Sequence, residues 1–358
     1  MRHLELEAME RALALSAGHR THPNPRVGAV ILAPTGEVIG EGAHHGPGLP
    51  HAEIEALNSL AGSMPSGATM VVTLEPCSHH GRTPPCVDAI IAAGLARVVV
   101  GAIDPDPKVS GSGIRRLREA GVGVDQGMMA EDVERADRAY FHHRRHGRPL
   151  VTLKTASTLD GQTAATDGSS QWITATEARL DAHALRGESD CILIGAGTLF
   201  ADDPALTVRI EGWSGAQPVA VVVAGRRTLP ETAQLWKRPD TIVVSAAPVD
   251  APVENLVVAA DDAGRPAPAA ILALLADRGH LSVLLEGGPG LASSFWRAGL
   301  IDGGVTYLGA RLAGGVGSPV FDGSWGSIGD AVNVEIEAVR RVGPDIRIDW
   351  AMPAPSRE

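Results

Sequence analysis

The chain has 358 residues, 44% of them hydrophobic, with three cysteines and a formal net charge of −11. That length predicts about two ordinary domains; no apolar run reaches the roughly 18 residues of a bilayer span, and Arg2, Glu5 and Glu7 sit where a signal peptide needs an apolar core. The acidic balance argues against a broad nucleic-acid footprint and the cysteine count excludes a disulfide framework, so a soluble cytoplasmic protein acting on small molecules is expected, a few local arginines sufficing for an anionic one.

In chain order, Leu6, Met9, Leu13 and Ala17 recur at helical spacing over residues 4–18, ahead of a His-Pro-Asn-Pro break. Residues 27–32 and 38–43 flank Pro34-Thr35-Gly36 and predict a hairpin that delivers His44 and His45. A helix over 51–60 would hold His51 in its first turn, and a strand over 69–74 runs into Glu75-Pro76-Cys77. Pro84 and Pro85 suit the first turn of a helix over 86–93, placing Cys86 at an N-terminus where the dipole favours a thiolate. A strand over 97–102, a helix over 114–120, a strand over 122–126 and a long polar helix over 131–146 complete a first domain, 1–146. This alternation predicts a sheet covered by helices on both faces. The basic run at 142–146 ends that last helix and is read as complementing its dipole in preference to an anion site.

Residues 146–149 mark the boundary to a second α/β domain, 150–358. Its first strand carries Lys154 and ends in an Asp160-Gly161 turn; a helix over 176–185 would be capped by Thr174 or Thr176. The strand over 191–194 buries the lone Cys191 and runs into Gly195-Ala196-Gly197. Strands over 219–223, 241–245 and 281–285, a helix over 269–277 and an edge hairpin over 332–350 follow. Glu286-Gly287-Gly288-Pro289-Gly290 opens a helix over 291–298, which makes it a better phosphate cradle than the first glycine turn; a tight turn without a ligand is the alternative.

The chemistry concentrates in Pro50-His51-Ala52-Glu53 and in the segment from Pro76-Cys77 to Pro85-Cys86. One imidazole and two thiolates form a three-ligand set for zinc with a fourth position open, as a catalytic site requires. Glu53 is poorly placed as a further ligand and well placed to shuttle protons during attack on a ring carbon that bears an amino group. His-x-Glu followed by Pro-Cys and a second Cys is the pattern of zinc nucleobase deaminases, here with eight residues between the cysteines in place of two. The alternatives are structural cysteines beside an unrelated histidine, or a closed zinc site completed by His79 or His80.

These residues, together with Thr21-His22-Pro23-Asn24-Pro25-Arg26-Val27-Gly28, the Ser78-His79-His80-Gly81-Arg82-Thr83 run and Asp104-Pro105-Asp106-Pro107, resemble the deaminase half of the bifunctional riboflavin-biosynthesis deaminase/reductase family. Lys154, Ser170-Gln171-Trp172-Ile173-Thr174, the 201–209 segment and Glu286-Gly287-Gly288 resemble its reductase half. The resemblance implies an N-terminal zinc cytidine-deaminase-like α/β/α sandwich and a C-terminal dihydrofolate-reductase-like α/β domain. It implies zinc on His51, Cys77 and Cys86, with Glu53 moving protons. Asn24, His44, His79, Arg82, Asp104 and Asp106, with Lys108, would bind a diaminopyrimidine ribosylamino phosphate.

In the second half, Lys154 would stand at the reacting sugar carbon, unless it serves only in an ion pair. Ala156, Trp172, Thr198, Asp202 and the turn of Gly288, Pro289, Gly290, Leu291, Ala292, Ser293 and Ser294 would contact NADPH. Ser170, Arg186, Leu206, Arg209 and Glu286 would hold the phosphoribosyl substrate, two arginines suiting its phosphate. A homo-oligomer is also implied. The chain departs from the family at Ala224-Gly225, where an Asp-Ser or Asp-Thr pair is usual and where Arg226 and Arg227 are the substitutes for a 2′-phosphate contact. It departs again at Asp106, where Asn is usual, and at Gly290.

Overall fold

Continuous apolar runs bury a strand on both faces and therefore call for helices on both sides of the sheet. In the computed structural model, which describes residues 2–79, 84–225, 228–323 and 326–353, the chain divides into two compact units, Met1–Gly147 and Arg148–Glu358.

In the first unit β1 (Gly28–Leu32) pairs antiparallel with β2 (Val38–Ala43) and with β3 (Thr69–Leu74). β4 (Arg97–Ala102) and β5 (Gly123–Gln126) continue parallel to β3, so that the described residues form a sheet in the order β2-β1-β3-β4-β5. α1 (Arg2–Ser16) lies on β1 and β3, and α2 (Ala52–Asn58) lies on β1 and β2. A Cβ on Gly42 would collide with the backbone of α2 at Ala56, so this glycine sets how closely the helix approaches the sheet. α3 (Cys86–Ala92) and α4 (Ser112–Glu119) follow β3 and β4.

The helix expected over 131–146 is two helices, α5 (Ala130–Ala136) and α6 (Arg138–His146). Asp137 breaks it with φ −137° and ψ 51°. Its buried carboxylate accepts the Arg26 backbone N–H at 2.7 Å and stands 3.1 Å from His22 Nε2. A tertiary demand thus overrides local helix propensity.

The second unit contains β6 (Leu150–Thr158), β7 (Cys191–Gly195), β8 (Val219–Val223), β9 (Thr241–Ser245), β10 (Glu254–Val257), β11 (Ser282–Leu285), β12 (Gly303–Gly309), β13 (Glu335–Val342) and β14 (Asp345–Ala351). Among the described residues they form one sheet in the order β10-β9-β8-β7-β11-β6-β12-β14-β13. It is parallel from β10 to β12, and the expected terminal hairpin closes it antiparallel. Alternate residues of each strand feed two cores. Ile192 and Ile194 pack with α7 (Thr176–Glu188) and α8 (Ala196–Asp202), while Cys191 and Leu193 pack with α9 (Pro268–Asp277) and α10 (Pro289–Arg297).

Neither expected threonine caps α7. Its N-cap is Ala175, whose N–H goes to Asp345 at 2.6 Å. β10, β12 and α8 were not expected from sequence. No described helix is long and apolar enough to cross a membrane.

Candidate active sites

In the first unit the chemistry gathers where β3 ends and two helices begin. His51 immediately precedes α2, Glu53 lies in its first turn, and Cys86 opens α3 after Pro85, which is the N-cap and not a first-turn residue. His51 Nδ1 stands 3.2 Å from Cys86 Sγ and 3.7 Å from Cys77 Sγ, and the three donor atoms fall within 4.8 Å of one another. With Zn–S near 2.3 Å and Zn–N near 2.0 Å, two tetrahedral ligands lie about 3.5 Å apart. Spacing and donor chemistry therefore both fit such an ion. Hydrogen bonding with Cys86, and then with His51, outweighs burial and holds the Cys77 thiol below the ordinary thiol range.

Glu53 is buried. Loss of solvent, and then the charge of Cys77, push its carboxyl up to about 7. It lines a cavity of about 440 Å³ together with Asn24, His44, His79, Asp104 and Asp106. Those five were expected to contact the pyrimidine nucleotide, and they share the cavity with His51 and Cys77. Arg82, expected beside them, lies outside the described residues, as do Arg226 and Arg227. Lys108 is exposed and does not line the cavity.

His44 is fixed by its neighbours. Nδ1 donates to the Pro50 carbonyl at 2.9 Å, which leaves Nε2 to accept from the Asn24 amide at 3.0 Å. Burial lowers its pKa further, so the neutral ring is the form the fold favours. Asp104 accepts the Tyr140 hydroxyl at 3.0 Å and the Asp106 N–H at 2.9 Å, yet burial dominates and raises its carboxyl to about 6.

Glu75 and Tyr140 also line this cavity and were given no role from sequence, as does Arg144, which was read only as part of a basic run complementing its helix dipole. The Glu75 carboxylate is buried and accepts the N–H groups of Gly111 at 2.8 Å and Gly113 at 2.9 Å, with those of Ile114 and Asp104 at 3.3 and 3.4 Å. It anchors the loop that carries Asp104 and Asp106. The available signal was an acid placed directly after an apolar strand.

In the second unit the expected residues collect beside the C-terminal ends of adjacent parallel strands, where α/β sheets characteristically bind ligands. Glu286 follows β11, and Lys154 of neighbouring β6 stands 3.9 Å from it. Arg186 of α7 grips Glu286 with two hydrogen bonds, Nε to Oε1 at 2.6 Å and Nη2 to Oε2 at 2.9 Å. Burial alone would raise the Glu286 pKa, but the Arg186 charge and hydrogen bonds bring it down to about 2. Lys154 also acts electrostatically on Asp202.

Thr198 Oγ1 accepts the Gly288 N–H at 3.1 Å and joins α8 to the turn before α10. Within that turn Ala292 is buried in the core, Ser293 bonds Asp322, and Leu291 packs over Gly287. Ala156 is half-buried opposite Tyr307 on β12. Leu206 is buried with φ +48°, and its carbonyl is taken by Arg238. Arg209 is exposed.

His183 belongs to this cluster and was missed. It is buried one helical turn before Arg186, 2.9 Å from the Thr207 carbonyl and 3.3 Å from the Arg209 N–H. Loss of solvent, and then Arg186 and Arg209, lower it to about 4. Ser170 and Trp172 instead line a cavity of about 450 Å³ with Arg311, and the walls of that cavity do not include Lys154, Asp202, Arg209 or Glu286. Arg179 stacks on the Trp172 ring at 4.5 Å.

Two family models match the chain. The RibD C-terminal domain covers residues 149–348, and the cytidine and deoxycytidylate deaminase zinc-binding region covers residues 3–102. The riboflavin biosynthesis protein RibD of Escherichia coli K12 is 39% identical over 94% of this chain and 96% of its own. That of Mycobacterium tuberculosis H37Rv is 40% identical over 96% and 97%. Among solved structures, Acinetobacter baumannii RibD superposes with a TM-score of 0.90 at 33% identity, covering 99% of this chain and 100% of that one. The deaminase/reductase of Thermotoga maritima gives 0.89 at 34%, covering 98% and 99%.

Proposed function

The chain belongs to the RibD family of bifunctional riboflavin-biosynthesis deaminase/reductases, and from that premise we propose how its two units divide the chemistry. The first unit, 1–146, deaminates 2,5-diamino-6-(5-phosphoribosylamino)pyrimidin-4-one. The second, 150–358, reduces the ribose of 5-amino-6-(5-phosphoribosylamino)uracil to a ribityl chain. The Thermotoga relative is described as a deaminase and reductase of such phosphoribosylaminopyrimidines. The observation that carries the reading is that buried Glu53, His51 and Cys77 share one cavity wall with Asn24, His44, Asp104 and Asp106, while Cys86 completes a donor set within 4.8 Å.

In the first unit His51, Cys77 and Cys86 would hold zinc, which supplies an activated water for hydrolytic deamination when bound. Glu53 takes a proton from the attacking water and delivers it to the departing amine. His44, neutral and held by Pro50 and Asn24, presents a fixed edge to the base. Asp104, Asp106 and His79, together with Arg82, bind the rest of the nucleotide.

In the second unit NADPH would supply the hydride. We assign its phosphates to the Gly288–Ser294 turn beside Thr198, at the N-terminus of α10, where the Gly290 N–H is the donor that neither Thr198 nor the Gly288 carbonyl takes up. Ala156, Trp172 and Asp202 complete the cofactor contacts. Lys154 orients or protonates the sugar oxygen, and Glu286 fixes Lys154. Ser170, Leu206 and Arg209 contact the substrate, with Arg186 acting through Glu286. A cytoplasmic homo-oligomer completes the proposal.

The test is metal analysis of the purified chain with a coupled assay of ammonia release and NADPH oxidation. One zinc per chain with both signals supports the proposal. Ammonia without NADPH oxidation overturns the reductase half.

A further inference from the structure

The proposed first substrate carries a phosphate, yet the cavity that would receive it is lined by four carboxylates, Glu53, Glu75, Asp104 and Asp106. Against these, Arg144 is the one lysine or arginine on the wall among the described residues. Its guanidinium is pre-set. It stacks over the Tyr140 ring at 4.9 Å and donates from Nη2 to the Pro23 carbonyl at 3.2 Å. Nε stands 3.5 Å from Asp106 Oδ2, and no hydrogen bond satisfies it. The carboxylate nearest to the guanidinium thus attracts it without consuming its donors. Tyr140 is itself held by Asp104, so the arginine is braced from beneath by a residue of the same wall.

We infer that Arg144 is a specificity-determining residue of the deaminase cavity, holding the phosphate of an incoming nucleotide. This rests on the deaminase reading above. A rigid guanidinium clamped on an aromatic face loses little freedom on gripping a phosphate, and it presents donors in the planar arrangement a phosphate matches. The basic run at 142–146 therefore does more than complement a helix dipole, because the break at Asp137 starts α6 afresh and α6 carries Arg144 to the cavity wall.

The test compares the holoenzyme with Arg144→Met on the phosphorylated aminopyrimidine and on its dephosphorylated counterpart, following ammonia. The readout is the ratio of kcat/KM between the two substrates. Loss of a charged hydrogen bond should collapse that preference by about tenfold to a hundredfold, carried by KM for the phosphorylated substrate. Arg144→Lys keeps the charge and loses the fork, and should fall between wild type and Met; it also serves if the Met variant fails to fold. A wild-type preference retained in either variant, with zinc bound, overturns the assignment. A wild-type chain that deaminates neither compound overturns the deaminase reading, and this assignment falls with it.

Discussion

Arg186 and Glu286 close a two-pronged ion pair across 100 residues of sequence, with both side chains largely buried. Glu286 sits near 2 in the fold against 4.5 unfolded, so its stabilising contribution is fully present above about pH 4.5 and is lost as the pH falls toward 2. That shift corresponds to roughly 3 kcal/mol. Denaturant unfolding of wild type and Glu286→Gln should give curves of stability against pH that converge below about pH 3; curves that stay parallel would contradict it. Arg186→Met strips the buried carboxylate of both its hydrogen bonds and leaves it only Lys154 at 3.9 Å, and should cost about 3 kcal/mol at neutral pH.

Glu53→Gln should bind zinc as wild type does and lose about 10²- to 10⁴-fold in deamination, the usual contribution of a positioned general acid–base. Reduction of the deaminated intermediate should persist. Ammonia release near the wild-type rate would remove Glu53 from proton transfer.

His51, Cys77 and Cys86 all lie in the first unit. A chelator that strips the metal should therefore abolish ammonia release and leave NADPH oxidation on the second substrate in place, and added zinc should restore the first signal. Loss of both signals on chelation would show that the reductase depends on the metal too. Cys86→Ser should reproduce the chelator's effect.

Asp104 titrates near 6 in the fold against 3.8 unfolded, because burial favours its neutral form. The stability this confers is present below about pH 3.8 and is lost as the pH rises through 6. Asn is neutral throughout, so Asp104→Asn should be more stable than wild type by about 1–3 kcal/mol near pH 8 and nearly equal to it near pH 3.5. Thermal melts at the two pH values decide the matter. An equal difference at both would mean that the fold does not shift the Asp104 carboxyl from its unfolded value.

Much of this was legible in the sequence because it is local. Thr69–Leu74, Arg97–Ala102, Val219–Val223 and Thr241–Ser245 announce themselves as apolar runs, and the His51, Cys77 and Cys86 donors that the fold gathers announce themselves by order and type. What was illegible depends on distant partners. Gly303–Gly309 is a strand despite its glycines, because Trp350 packs where a Cβ on Gly304 would stand. α8 was hidden by Gly197, which reads as a loop residue. Asp137 interrupts a helical pattern for Arg26 and His22, over a hundred positions earlier. His183 carried no sign that it would lie beneath the Thr207–Arg209 backbone.

Glu75 stands two residues before Cys77, one of the three proposed metal donors, and holds the backbone of the loop that carries Asp104 and Asp106. Reactivity and recognition in the first unit consequently share one hinge pin. A lineage cannot acquire a different base by exchanging that loop alone, since a new loop lacking amides at the same points would strand a buried carboxylate and unseat Cys77. Change of substrate in this scaffold must come through the side chains of the loop while its backbone path stays fixed.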